Sequence, residues 1–316
     1  MKIVITDWST VNFSGDIPED KLRVLGETEF YPLTKPEETA SRIGDADIVL
    51  CNKTLITREI MDSCMNLKYI GLFATGYNNV DIEAATEKGI TVCNAGQYST
   101  NAVSQQVFAY ILDYFSRIRD YDRLVKAGEW EKSPTFSYFP LPIGELAGKT
   151  LSIVGYGSIG RRVAEIGSAF GMNIVVSTRT APAGCPYEVT DVYTAAEKAD
   201  VLTFHCPLTD KTKGIVNKEL LRRMKKSAVL INTARGGIAD EKALAEALNS
   251  GEIAAVYADV LEQEPMSPDT PLKNAANCFI TPHTAWAALE TRQRLVDIVC
   301  GNVMAWQNGS PTNKVN

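Results

Sequence analysis

The chain has only two histidines, His205 and His283, in 316 residues, so any chemistry that needs an imidazole must use one of them. Its seven cysteines, Cys51, Cys64, Cys93, Cys185, Cys206, Cys278 and Cys300, form no C-x-x-C pair and are odd in number. That argues against a disulfide framework and leaves reduced, partly buried thiols in a reducing compartment. No stretch reaches the roughly 18 apolar residues of a membrane span, and Asp7 cuts off the apolar run Ile3 to Ile5 before a signal-peptide core can form. No stripe of Lys and Arg occurs either. With 32 basic against 38 acidic residues and a net charge of -6, a phosphate-tracking surface is excluded and nucleic acid is not an expected partner. The short basic run Arg222, Arg223, Lys225, Lys226 reads as a solvated helix end, where cations suit the helix dipole. Internal repeats and low-complexity tracts are lacking too. The expectation is a cytoplasmic protein with no membrane contact.

What is present is ordinary globular composition, 45% hydrophobic and 22% charged, over a length that suits two compact domains with a ligand cleft between them. Short apolar runs at Ile3 to Ile5, Ile48 to Leu50, Tyr69 to Phe73 and Ile90 to Val92 alternate with amphipathic stretches, the rhythm of βα units and a parallel sheet. From Thr100 to about Lys126 the spacing of Val103, Val107, Ile111 and Tyr114 predicts one long helix, with Gly128 as its stop. Glu129 to Gly148 is irregular, with Pro134, Pro140 and Pro142 among Trp130, Phe136, Tyr138 and Phe139. Such an excursion serves either as a subunit contact or as packing on the chain's own surface. A second alternating series begins at Thr150, and Trp286 to Trp306 reads as a final helix with Val296, Val299, Val303 and Trp306 on one face. The fold class expected is α/β, with two Rossmann-like, doubly wound parallel-sheet domains.

The strongest local signal is Gly155-Tyr156-Gly157-Ser158-Ile159-Gly160, between the apolar run Leu151 to Val154 and a helix-like stretch with Ile159, Val163, Ile166 and Phe170. A lone G-x-G-x-x-G is weak, but here a strand precedes it, a helix follows, and a second strand-like run, Ile174 to Val176, comes at βαβ spacing. Gly155 permits the tight turn, Gly157 admits a pyrophosphate to the backbone and the helix N-terminus, and Gly160 lets helix and strand pack closely. At the end of the second strand an NAD site usually places Asp or Glu for the ribose hydroxyls. This chain has Ser177-Thr178-Arg179-Thr180 instead. Two hydroxyls and a guanidinium suit a 2'-phosphate, and a charge-assisted Arg contact of about 1.5 to 3 kcal/mol would favour NADPH roughly ten- to a hundredfold. The other reading of Arg179 points it to solvent or over the adenine. NADP is favoured over NAD, and no metal site is assigned.

A nicotinamide cofactor implies hydride transfer, and reduction of a carbonyl further requires a proton donor and a clamp for the substrate. His205, in Thr203-Phe204-His205-Cys206-Pro207, ends an apolar strand where it either lines the cofactor crevice or packs as a strand-end residue. His283, in Thr281-Pro282-His283-Thr284-Ala285, stands beyond another apolar run on a loop. Asn232-Thr233-Ala234-Arg235-Gly236-Gly237 puts a guanidinium, which binds carboxylates bidentately, at a strand end. Asp259-Val260-Leu261-Glu262-Gln263-Glu264-Pro265 offers a carboxylate to orient an imidazole and favour its charged form.

The order of these motifs, together with Ala74-Thr75-Gly76-Tyr77-Asn78-Asn79-Val80-Asp81, resembles the D-isomer-specific 2-hydroxyacid dehydrogenase family and, within it, the glycerate dehydrogenase or hydroxypyruvate reductase branch. The resemblance covers nearly the whole chain. It implies a flavodoxin-like substrate domain of residues 1–98 plus 287–316 and a cofactor domain of residues 99–286. It further implies that Arg235 binds the substrate carboxylate and carbonyl, that Glu264 pairs with His283, and that His283 gives the proton in reduction. By the same resemblance the amides of Ala74, Thr75 and Gly76 hold the carboxylate. The cofactor would be held by Gly155, Gly157, Ser158, Ile159, Gly160, Thr178, Arg179, His205, Cys206, Pro207, Thr233, Ala234 and Asp259, with Asp259 on the nicotinamide carboxamide. A homodimer through the excursion before the glycine turn is a family expectation. Tyr77, Phe139 and Trp286 are candidates to line a small pocket for hydroxypyruvate or glyoxylate, and pyruvate and phenylpyruvate stay open because such preferences shift by only about 1 to 3 kcal/mol.

Some residues depart from the family pattern. No acid follows the second strand, Thr284 follows His283 in place of an aliphatic residue, and Ser104 and Gln105 stand where many members have Ala and Glu. Rival readings are a cofactor-sensing corepressor-like protein of the same fold, a D-lactate-type dehydrogenase, and a formate dehydrogenase. Fold alone does not decide among them.

Overall fold

The computed structural model describes residues 1–180 and 183–316, and the chain divides into two compact units, Met1–Ser99 with Ala287–Asn316 and Thr100–Trp286. The first unit is built on five short strands: β1 (Lys2–Ile5), β2 (Glu27–Phe30), β3 (Ile48–Cys51), β4 (Tyr69–Leu72) and β5 (Thr91–Cys93). They pair in parallel in the order β2-β1-β3-β4-β5. The central strands β3 and β4 are buried throughout, as continuous apolar runs covered on both faces must be, whereas edge strand β2 alternates between exposed and half-buried residues. The final helix, Leu289–Gln307, belongs to this unit. Leu295, Val296, Val299 and Val303 are buried, and Trp306 lies 5.0 Å from the Tyr69 ring of β4. Arg292, nearly fully buried on that helix, forks onto both oxygens of Asp16 at 2.6 and 2.7 Å and donates to the Ala287 carbonyl.

The second unit holds seven strands: β6 (Thr150–Val154), β7 (Asn173–Ser177), β8 (Glu188–Thr190), β9 (Val201–Phe204), β10 (Val229–Asn232), β11 (Ala255–Ala258) and β12 (Cys278–Ile280). All pairs are parallel, in the order β12-β11-β10-β9-β6-β7-β8. Side chains two apart share a face of the sheet. Leu151, Ile153, Val229 and Ile231 accordingly pack with Val107, Ile111 and Val163, while Val154, Leu202, Leu230 and Val256 pack with Leu220, Leu244 and Leu248. The expected α/β class, with doubly wound parallel sheets, is what the chain forms.

The long helix expected from Thr100 to Lys126 is two helices, Thr100–Ser116 and Ile118–Lys126. Arg117 between them is left-handed at φ 50°, a conformation that ends helical hydrogen bonding and that the hydrophobic period does not encode. The final helix starts at Leu289, three residues later than the pattern suggests, because Trp286 to Ala288 form its approach. The basic run ends a helix as expected: Arg223 pairs with Glu197 and Glu219, and Lys225 with Asp200. No helix among the described residues is long and apolar enough to cross a membrane.

Each sheet has one place where the chain reverses its direction of growth, and ligands of open α/β sheets bind in the crevice at that place, beyond the carboxyl ends of the strands. In the second unit the reversal lies between β6 and β9. In the first it lies between β1 and β3.

Candidate active site

Strand register in the second unit lines up Ser177, Val154, Phe204, Asn232, Ala258 and Ile280 as Cα partners across six strands. One residue further along each strand therefore lies a row at the carboxyl edge: Thr178, Gly155, His205, Thr233, Asp259 and Thr281. Five of the six are among the candidates read from the sequence.

At the reversal point Gly155 turns at φ 96°, and a Cβ there would stand 2.5 Å from the His205 carbonyl oxygen. Only glycine fits. A Cβ on Gly160 would stand 2.1 Å from the Gly155 carbonyl, so the helix Ser158–Ala169 is seated directly on the turn. Gly157, by contrast, faces open space, with nothing within 4 Å of its missing Cβ, and as N-cap of that helix it supplies no side-chain acceptor. The amides of Ser158 and Ile159 thus open onto a space at the positive end of a twelve-residue helix, which fits a pyrophosphate. Beyond β7, Thr178 is half-buried while Arg179 and Thr180 are exposed, and Arg179 forms no ion pair among the described residues. Two buried polar atoms along the row, His205 Nδ1 and Thr233 Oγ1, have no partner among the described residues. On adjacent strand ends beside the glycine turn, they suit the polar groups of a dinucleotide. Ala234 is buried behind Thr233, Cys206 is half-buried with its thiol pushed up by burial, and Pro207 is exposed.

The two histidines differ sharply. The His205 ring lies in the interior, where Nε2 meets only the Thr203 hydroxyl at 3.0 Å, and burial lowers its pKa to about 3. It is a neutral strand-end residue at any physiological pH. His283 is one-third exposed, and its Nδ1 lies 2.6 Å from Glu264 Oε2. The other Glu264 oxygen accepts the Leu261 amide at 3.0 Å, which fixes the carboxylate. Only His283 has a counter-charge.

His283 sits at φ 54°, a left-handed conformation that costs a residue with a Cβ about 1 to 2 kcal/mol. Asp259 holds it there. Its carbonyl accepts the His283 amide at 2.8 Å, Oδ1 accepts the Thr284 amide at 2.9 Å and the Thr281 hydroxyl at 2.5 Å, and Oδ2 accepts the Ala285 amide at 2.9 Å. Burial raises the carboxyl's pKa, while these donors and the nearby imidazole pull it back down.

Arg235 is exposed on extended backbone just past the row, with Nη1 on the Ala234 carbonyl at 2.7 Å. Asn232 braces it, donating to the Arg235 carbonyl and accepting from the Ala234 amide. The next residue, Gly236, touches the Leu261 backbone so closely that a Cβ would stand 1.9 Å from the Leu261 carbonyl carbon. The turn carrying Arg235 is thereby keyed to the loop carrying Glu264. This contact was not legible in the sequence, where Gly236 reads only as one of two flexible glycines beside an arginine.

In the first unit Ala74, Thr75 and Gly76 follow β4. The Ala95 amide and the Asn94 side chain hold the carbonyls of Ala74 and Thr75, and among the described residues no amide of the three donates a hydrogen bond. Of the pocket candidates, Tyr77 is exposed and Trp286 half-buried. Phe139 is 77% exposed on the excursion and encloses nothing in its own unit.

A phosphate cradle at the reversal point of a parallel sheet, sharing its edge with a carboxylate-paired imidazole, defines a dinucleotide-dependent dehydrogenase. Residues 108–285 match the family model of the D-isomer specific 2-hydroxyacid dehydrogenase, NAD binding domain. Over the full length of both chains the protein is 42% identical to the hydroxypyruvate reductase of Blautia hydrogenotrophica. Over 91% of each chain it is 39% identical to the glycerate dehydrogenase of Methylorubrum extorquens. Among solved structures, the NADPH-dependent glyoxylate/hydroxypyruvate reductase of Sinorhizobium meliloti, in complex with NADP and malonate, superposes with a TM-score of 0.83 at 28% identity, covering 99% of this chain and 96% of that one. The chain belongs to the D-isomer-specific 2-hydroxyacid dehydrogenase family, and its second unit contains a nicotinamide dinucleotide domain.

Because Gly236 meets backbone and not a flexible side chain, Gly236→Ala should displace the Leu261 to Glu264 loop. The expected result is a loss of at least about 1 to 3 kcal/mol, the cost of overpacking, read from urea unfolding, together with lower turnover. Wild-type stability would show that the contact relaxes without cost.

Proposed function

We propose that this protein reduces a small 2-keto acid, hydroxypyruvate or glyoxylate, to the D-2-hydroxy acid with NADPH, and that His283 delivers the proton. The observation that carries the reading is the His283–Glu264 contact at 2.6 Å, set against the buried, neutral His205. The bound cofactor supplies the hydride. Arg235, exposed and braced by Asn232, binds the substrate carboxylate and orients the carbonyl. In the first unit, taken by itself, the undonated amides of Ala74, Thr75 and Gly76 suit a small carboxylate. Glu264 stabilises the imidazolium, which protonates the oxygen as charge develops there, an effect worth about 10² to 10⁴ in rate. Asp259, fifth in the row of six, positions the histidine loop and would face the carboxamide of a bound cofactor. The names of the relatives, hydroxypyruvate reductase and glycerate dehydrogenase, support this substrate class.

For the cofactor, the absence of a carboxylate among Ser177, Thr178, Arg179 and Thr180 and the free guanidinium of Arg179 support NADP, as does the NADP bound to the Sinorhizobium reductase. Initial rates with hydroxypyruvate, glyoxylate and pyruvate, measured with NADPH and NADH in parallel, test both parts. NADPH should be preferred roughly ten- to a hundredfold, and Arg179→Ala should abolish that preference by raising the KM for NADPH alone. A preference for NADH would discard the phosphate role of Arg179. No turnover with any of the three acids would discard the substrate class.

His283→Ala should lose turnover at least a hundredfold while cofactor affinity stays within about twofold, and near-full turnover would remove His283 from the chemistry. Glu264→Gln replaces the carboxylate that meets the ring, and turnover should fall with cofactor affinity preserved. Wild-type turnover would separate the two residues.

The helix Ile118–Lys126 and the excursion after it expose Ile118, Trp130, Phe136, Phe139 and Ile143, with Tyr121 tied to the Leu141 carbonyl and Trp130 to the Phe136 carbonyl. We infer that a second copy of the chain covers this patch. Phe136→Glu with Phe139→Glu should convert a dimer to a monomer in light scattering, and a wild-type chain already monomeric at micromolar concentration would contradict the assignment.

A further inference from the structure

Behind His283 the hydrogen bonds continue past Asp259 into the helix Thr100–Ser116. A carboxylate only accepts, so the Thr281 hydroxyl, 2.5 Å from Asp259 Oδ1, must give it its single proton. Thr281 Oγ1 is then left to accept, and the Tyr110 phenol in contact with it donates. The chain runs in one direction, from Tyr110 through Thr281 to Asp259. Its head is rigid. Tyr110 is 5% exposed, with its ring 5.1 Å from the Tyr257 ring of β11, and the Tyr257 hydroxyl donates to Asp113 of the same helix at 2.9 Å.

The other donors to the Asp259 carboxylate are the amides of Thr284 and Ala285, which ride on the very loop that Asp259 has to place. They tie carboxylate and loop together without tying either to the rest of the unit. Among the described residues, the link from Thr281 to Tyr110 is the one side-chain path from this carboxylate to a helix.

We propose that Tyr110 and Thr281 are positioning residues for His283: their directed hydrogen bonds set the rotation of the Asp259 carboxylate and, through it, the placement of the strained loop that carries the imidazole. This rests on the reading of His283 as proton donor. Misplacing a catalytic group by about 1 Å can cost a hundredfold in rate without touching affinity. The signature is therefore a fall in kcat with KM preserved.

The test compares Tyr110→Phe, Thr281→Val, Thr281→Ser, the double variant Tyr110→Phe/Thr281→Val and His283→Ala, with NADPH and the best 2-keto acid of the three. Tyr110→Phe should lower kcat about three- to tenfold and Thr281→Val about ten- to a hundredfold, each with the KM for the keto acid within about twofold. Thr281→Ser, which keeps the hydroxyl, should restore most of the rate. Residues in one network are not additive, so the double variant should be no slower than Thr281→Val alone. Full kcat in Tyr110→Phe, or losses that multiply in the double variant, with His283→Ala inactive, would overturn the positioning role and leave the proton donor standing. Near-full turnover in His283→Ala would overturn the reading of the site itself. If Thr281→Val does not fold, Tyr110→Phe against Thr281→Ser still decides: equal and undiminished rates in both refute the proposal.

Discussion

The site depends on one buried carboxylate. Asp259 is 2% exposed, and burying an ion is unfavourable unless its lone pairs are met. Here they are met by the Thr281 hydroxyl and by the amides of Thr284 and Ala285, all from the segment that carries His283. The need to satisfy the carboxylate and the need to hold a histidine in a left-handed conformation have the same solution. Neither the loop nor the acid would keep its geometry alone, and the imidazole's partner Glu264 is placed from the other side by the Leu261 amide.

Close backbone contacts do the rest of the positioning. Gly155 against His205, Gly160 against Gly155 and Gly236 against Leu261 are places where two backbones meet at distances no side chain permits. They join β6 to β9, a helix to the turn before it, and the Arg235 turn to the Glu264 loop. The row at the carboxyl edge is thus fixed twice, along the sheet by strand register and across it by these contacts. Gly157 is the exception, with open space where a Cβ would stand, and in the turn that free space is the useful property.

Much of this was legible in the sequence because it follows from short-range pattern. Continuous apolar runs such as Val229 to Ile231 and Val201 to Phe204 announce strands buried on both faces, and the spacing after Gly155 announces a helix. The pairing of Glu264 with His283, nineteen residues apart, came from the family resemblance. What stayed hidden depends on contacts that no local period records. The break at Arg117 is a single backbone rotation inside an otherwise continuous hydrophobic pattern. The role of Gly236 depends on a loop 25 residues away, and that of Tyr110, which the helical spacing does not single out, on Thr281, 171 residues further on.

The two units also show why a reversal point in a parallel sheet does not by itself make a dinucleotide site. In the first unit the reversal point between β1 and β3 is taken by the chain itself: Asp7, 3% exposed, accepts the amides of Asn52, Lys53 and Thr54 at 2.6 to 2.9 Å and the Thr54 hydroxyl at 2.9 Å. Backbone amides in that position are what an incoming phosphate would use, and an internal carboxylate has already neutralised them. In the second unit the matching amides follow Gly157, which has no side chain to turn back on them. The difference between a filled and an open crevice therefore comes down to an acid at the end of β1 and a glycine turn at the end of β6. With its own reversal point closed, the first unit has its undonated amides at Ala74 to Gly76, one strand further along. Three consecutive amides with no partner make a turn too short to span a dinucleotide's two phosphates, unlike the helix N-terminus that follows Gly157.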